Sequence, residues 1–169
     1  MTKGELLTED IAERFLEDPY LLFILDEFTT IEDMAAEVLA EYKGSLYLDG
    51  LTSLSDKAVE VLAKYQGIEL HLSGLNTLSD KAAEALAKHQ GILYLDGLTS
   101  LSDKAAEALE KHQGSISLYS LTSLSDKAAE ALAECRGSIY LNSLTTLSDK
   151  AARRWRNIME NCTSLTGLP

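Results

Sequence analysis

Residues 44–66 read GSLYLDGLTSLSDKAVEVLAKYQ, and the order of residue types in that stretch decides the fold. Leu46 and Leu48 alternate with Tyr47 and Asp49, the period of two expected of a short strand with one buried face. Leu51 and Leu54 continue the apolar series at a spacing of three, which a strand cannot follow, so the chain turns there and Gly50 eases the bend. Ser55 precedes Asp56, Lys57 and Ala58: a serine at the N-cap accepts from an otherwise unpaired backbone N–H, and an aspartate beside it complements the positive helix end. In the helix that follows, Ala58, Val61 and Leu62 form an inner face, while Glu60 stands four residues before Lys64 as a supporting outer pair. Gly67 falls where a left-handed residue commonly ends a helix. The unit is strand, turn, helix, turn.

The phrase returns four times, and its copies are opened by Gly44, Gly67, Gly91, Gly114 and Gly137 at spacings of 23, 24, 23 and 23 residues. Self-similarity at that period signals stacked repeats. Strands joined by helical crossovers run parallel, with neighbours about 4.8 Å apart. A single unit would leave its leucines half exposed while each residue loses roughly 1–2 kcal/mol of backbone freedom, so stacking must complete the core. Helices are wider than strands, roughly 10 Å, so the stack curves with strands inside and helices outside.

The pattern LxLxxLxxLSDxAAxALAxxxG resembles the leucine-rich repeat family, in its bacterial, GALA-like variety. The resemblance implies an α/β fold: a right-handed solenoid with a parallel β-sheet on the concave side and α-helices on the convex side. It implies a non-enzymatic module that binds a protein or peptide, and it also raises a secreted bacterial effector. Nothing before residue 21 looks like an F-box or another second module. One departure stands out: Leu51, Leu75, Leu98, Leu121 and Leu144 occupy the place of the family's turn-bonding asparagine or cysteine. The turns are therefore expected to rest on backbone pairing and leucine packing.

The template divides the chain as a single domain. Residues 1–20 form an N-terminal helical cap, five repeats follow (21–43, 44–66, 67–90, 91–113 and 114–136), and 137–169 hold the last repeat with a C-terminal cap. In the first repeat Phe23, Leu25, Phe28 and Ile31 keep the register, with Glu32 at the place of Ser55. Thr8 to Glu17 reads as an amphipathic helix with Thr8 as N-cap, stopped by Pro19. At the far end Trp155 takes the buried Leu62 position, and Arg153, Arg154 and Arg156 decorate a capping surface; the tail 163–168 is left unassigned.

Net charge is −12, with 12 acids against 3 bases in residues 1–43 and 1 acid against 4 bases in 150–169. A surface this acidic excludes nucleic acid as a partner. The longest apolar run, Tyr20 to Leu25, is too short for a membrane span or a signal-peptide core, so the expectation is a cytoplasmic protein without a membrane partner, non-classical secretion aside. Cys135 and Cys162 fit neither a disulfide framework nor a zinc pattern, and free thiols are expected. A monomer is expected, although the acidic start and basic end leave end-to-end association open, and with it a scaffold or assembly subunit as a competing class.

No phosphate-cradling glycine loop, HExxH, GxSxG or CxxC occurs; no cofactor, metal site or catalytic residue is expected. His89 and His112 are placed in the last turn of their helices, where a partly charged imidazole suits the negative end. The residues between strand leucines point away from the core and should stack as Ile24, Tyr47, His71, Tyr94, Ser117 and Tyr140, beside a second row of Asp26, Asp49, Ser73, Asp96, Tyr119 and Asn142. Tyrosine contributes interface area at small entropy loss. The candidate partner-binding residues are therefore Tyr47, Asp49, His71, Ser73, Tyr94, Asp96, Ser117, Tyr119, Tyr140 and Asn142, with His71 as a pH-sensitive member. Replacing Tyr47 and Tyr94 by alanine is expected to abolish capture without altering melting.

Overall fold

The structure is a computed structural model that describes residues 5–18, 25–153 and 155. Strands and helices alternate along it: β1 (Glu5–Leu7), α1 (Glu9–Glu17), β2 (Phe28–Ile31), α2 (Asp33–Leu39), β3 (Leu46–Tyr47), α3 (Asp56–Leu62), β4 (Glu69–His71), α4 (Asp80–Leu86), β5 (Ile92–Tyr94), α5 (Asp103–Leu109), β6 (Ile116–Ser117), α6 (Asp126–Ala133) and β7 (Ile139–Tyr140). Strands β3 to β7 form one parallel sheet in chain order, and β1 pairs with β2 in a separate parallel pair. The fold is α/β, built from repeated β–α units.

The core lies between sheet and helices. Leu46, Leu48 and Leu51, with Leu70, Leu72, Leu75 and their counterparts in later units, meet Ala58, Leu62, Leu86, Leu109 and Leu132 from the helices, all of them buried. Trp155 closes this core at the expected Leu62 position and donates its indole N–H to Ala129 O at 2.9 Å.

From α3 onward each helix begins as its serine dictates. Ser55, Ser79, Ser102, Ser125 and Ser148 accept from the backbone N–H three residues on, at 2.9–3.1 Å. Four of these hydroxyls also donate to the aspartate that opens the preceding helix: Ser55 to Asp33, Ser102 to Asp80, Ser125 to Asp103 and Ser148 to Asp126. The outer charges likewise pair between units. Lys57 meets Glu37 at 2.9 Å and Lys127 meets Glu107 at 2.7 Å, while Glu60 faces Lys81 at 3.4 Å, so its ion pair runs to the next helix and not to Lys64.

Several local expectations are corrected. The glycines opening the units do not adopt left-handed backbone; a Cβ on Gly67 or Gly114 would collide with the carbonyl oxygen of Gly44 or Gly91, so close approach between successive turns selects them. A strand, β1, precedes α1 and pairs with β2, and Glu32 N donates to Leu7 O at 3.0 Å. Thr8 is the N-cap of α1 by position but makes no side-chain cap bond; Glu9 N donates instead to Glu32 Oε2 at 3.1 Å, so the residue at the Ser55 place caps the helix before its own. In the first unit the strand falls at Phe28–Ile31, after a short 3-10 turn over 25–27. Phe23, Ile24, Arg154, Arg156, Cys162 and the tail 163–168 lie outside the described residues.

The 24-residue third unit carries its extra residue between Gly67 and Leu70, where the other glycine-opened units place one residue between the glycine and the first inward-facing strand residue. Ile68 is 66% exposed there, and its carbonyl accepts from Ile92 N at 2.8 Å.

Candidate functional site

Strand register sets the first row. Tyr47 lies opposite His71, His71 opposite Tyr94, Tyr94 opposite Ser117, and Ser117 opposite Tyr140. The leucines on either side point into the core, so this row faces outward. The rings use the strand spacing to stack: Tyr47 and His71 have centroids 4.3 Å apart, and His71 and Tyr94 4.0 Å apart at 11°. Ser117 is buried and donates to Asp96, whereas Tyr140 is 37% and Tyr119 52% exposed.

The second row has a structural task that the sequence reading did not assign. Asp26 Oδ1 accepts from Asp49 N at 2.9 Å, Asp49 Oδ1 from Ser73 N at 2.7 Å, and Asp96 Oδ1 from Tyr119 N at 2.9 Å. Each aspartate thus holds the turn of the next unit. This corrects the expectation of turns held by backbone and leucines alone: a side-chain ladder exists, set two residues before Leu51 and its counterparts. Ser73 is partly exposed and Asn142 exposed, and they complete the row. Asp26 is raised above the ordinary carboxyl value chiefly by burial, against the bond from Asp49 N; the Asp49 carboxylate adds to the rise and His71 opposes it.

The structure adds Glu69 to the site. It lies two residues before His71 on the same face of β4, opposite Ile92 of β5. Glu69 Oε2 accepts from Ser45 Oγ at 2.8 Å, and Oε1 from the Tyr94 hydroxyl at 3.5 Å. His71 sits between two carboxylates, with Nδ1 3.7 Å from Asp49 Oδ2 and Nε2 3.7 Å from Glu69 Oε2. Tyr94 is pushed up by burial first and by Glu69 second. Glu69 precedes the first strand leucine, Leu70, and so falls outside the alternation that marks the outward rows in the sequence. Its signal was an acid in the unit of odd length, where other units have Ser45, Ile92, Ser115 and Ser138.

A second aromatic column runs behind the helices' ends. Tyr65, His89 and His112 stack at centroid distances of 5.7 and 6.2 Å, and Tyr65 donates to Gly44 O. His89 and His112 are buried beyond the last residues of α4 and α5, which corrects their placement in the final helical turns. Their imidazoles bond Tyr65 O at 3.0 Å and Gly91 O at 3.1 Å. Burial lowers both below the ordinary value, and those carbonyl bonds oppose the shift. Cys135 ends the column with its thiol toward Leu109 O at 3.6 Å, pushed up to about 12 chiefly by burial.

The outer face offers carboxylates, hydroxyls, an imidazole and aromatic surface side by side. Among the described residues no group of three or more His, Cys, Asp or Glu side chains is placed to hold a metal ion, and no helix is long and apolar enough to cross a membrane. No protein-family model matches the chain, and no curated protein matches it.

Proposed function

We propose that the chain is a leucine-rich-repeat solenoid, right-handed, with its parallel sheet on the concave side and its helices on the convex side, and that it is a non-enzymatic module whose concave face captures a protein or peptide. The observation that carries this reading is the outward row Tyr47, His71, Tyr94 and Tyr140, with Tyr119 in the row beside it, on a face where Tyr119 and Tyr140 are among the most exposed large apolar side chains. Aromatic area with polar rims is the composition of interface centres.

The stacking of Tyr47 and Tyr94 on His71 changes which variant tests this best. Removing those two rings costs stability as well as contact, because aromatic pairs contribute about 0.5–1.5 kcal/mol beyond their area. Tyr119→Ala with Tyr140→Ala removes exposed area instead. The double variant should lose the proteins that the parent chain retains in affinity capture from lysate, at an unchanged melting temperature. Undiminished capture would refute the reading.

A further inference from the structure

The parallel register puts two stacked tyrosine rings and two fixed carboxylates around one imidazole on the outer face. The Tyr47 and Tyr94 rings, 4.3 and 4.0 Å from the His71 ring, hold it in plane between them. Its nitrogens lie 3.7 Å from Asp49 Oδ2 and Glu69 Oε2, too far for hydrogen bonds of a neutral ring but well within Coulombic reach of an imidazolium. His71 Nε2 is buried without a hydrogen-bond partner. The acids cannot drift off: Asp49 Oδ1 is tied to Ser73 N, and Glu69 is tied to Ser45 and Tyr94. Asp26, one unit away, acts on both Asp49 and His71, and Asp96 acts on Tyr94. Among the described residues no lysine or arginine forms an ion pair with Asp26, Asp49, Glu69 or Asp96; the lysine ion pairs lie along the helices.

We propose that this cluster selects a basic peptide segment, its Asp49 and Glu69 carboxylates receiving a guanidinium or ammonium group, and that a proton on His71 competes with that cation. The inference rests on the capture reading above and names its partner chemistry and its regulation. A guanidinium matches the site best, because its planar fork of donors bonds carboxylates and lies against aromatic rings. With the imidazole neutral, the two carboxylates present their full charge to the partner. Once the ring is protonated it supplies one positive charge itself and weakens their pull. Acidification that adds this proton therefore releases the peptide. Linkage makes the effect reciprocal: bound peptide opposes protonation of His71.

The test uses the whole chain and an alternating arginine–glycine octapeptide, with amide chemical shifts followed by NMR at about pH 7.5 and about pH 5, on either side of the imidazole range. At the higher pH the shifts should fall on β3, β4 and β5, and affinity should drop about tenfold at the lower pH, within the usual range of coupling between sites. His71→Tyr, which places the ring already present at Tyr47 and Tyr94, should bind equally at both. Glu69→Gln with Asp49→Asn, which keeps an acceptor for Ser73 N, should lose binding at both. If His71→Tyr keeps the full pH dependence, the titration belongs to Asp26 or another acid, and proton competition is overturned while the sheet face stands as the capture surface. Shifts confined to the acidic groove between α5 and α6, lined by Glu107, Glu110, Glu130 and Glu134, overturn the whole inference. The capture reading is then judged separately by the Tyr119 and Tyr140 variant.

Discussion

A histidine buried with one ring nitrogen on a carbonyl and the other without a partner is stable only while neutral, and His89 is in that state, Nδ1 on Tyr65 O and Nε2 unpaired. His112 is likewise buried, with Nε2 on Gly91 O. Both are shifted down from 6.5 in the folded chain, so above about 6.5 neither state carries the proton and their contribution to stability is complete. As pH falls below that value the unfolded chain binds protons first, and stability is lost until pH has dropped through the depressed folded values. Melting temperature should therefore fall between about pH 7 and pH 5, as imidazole titrates in that range. His89→Tyr with His112→Tyr should flatten the dependence, since Tyr65 already fills the same place and bonds Gly44 O. Thermal melts across that range check this; an unaltered slope in the double variant would exclude the buried pair as its source. The aromatic character of the column was readable from Tyr65, His89 and His112 recurring at one position. Its burial was not, because that depends on helices ending at Leu86 and Leu109, three residues before His89 and His112.

At the scale of the element, the helix start was the most legible part of the chain. Ser55 and its counterparts bond the N–H three residues on, an interaction contained within one short phrase. The second use of the same hydroxyls was hidden, since Ser102 reaches Asp80 across 22 residues and only the stacked register brings them together. Ser102→Ala should cost about 1–2 kcal/mol by denaturant titration, a cap plus a charge-assisted bond, and Asp80→Asn should cost less because an acceptor is kept. The aspartate ladder is obscured for the same reason: Asp49 reads as a surface selector, and its bond from Ser73 N spans 24 residues. The lysine–glutamate pairs between helices, such as Lys57 with Glu37, are exposed and screened by solvent, so moderate salt should leave the melting temperature nearly unchanged. Gly114→Ala should be far more damaging, about 1–3 kcal/mol, because its Cβ would meet Gly91 O.

For the whole molecule, every strand of the five-stranded sheet pairs only with its neighbours in sequence. Stability is then a sum over units and the contacts between adjacent ones, and not the property of one centre. Deleting residues 91–113 joins Gln90 to Gly114, the same kind of junction as Gln66 to Gly67. The shortened chain should remain folded by circular dichroism, with a smaller denaturant m-value in proportion to the surface lost. A chain that unfolds outright on this deletion would show that the units are not separable. The spacing of leucines announced this architecture, whereas the chemistry of the outer face depended on a single irregular unit whose meaning emerged only when Glu69 was seen beside His71.

That irregular unit also bears on how a chain of near-copies finds its own order. Equal copies can pair out of sequence, β3 with β5 for instance, and a mistake would bury the same leucines as the correct arrangement. The residue added between Gly67 and Leu70 breaks the equivalence: Ser45 finds the Glu69 carboxylate only on the correct neighbour, and would meet Ile92 on the wrong one. Ile68 and Glu69 thus act as an index mark from which the growing stack can be counted. Removing Ile68 and replacing Glu69 by serine makes every interval 23 residues and abolishes the mark, and refolding of that variant should show an added slow phase as mispaired stacks sort themselves.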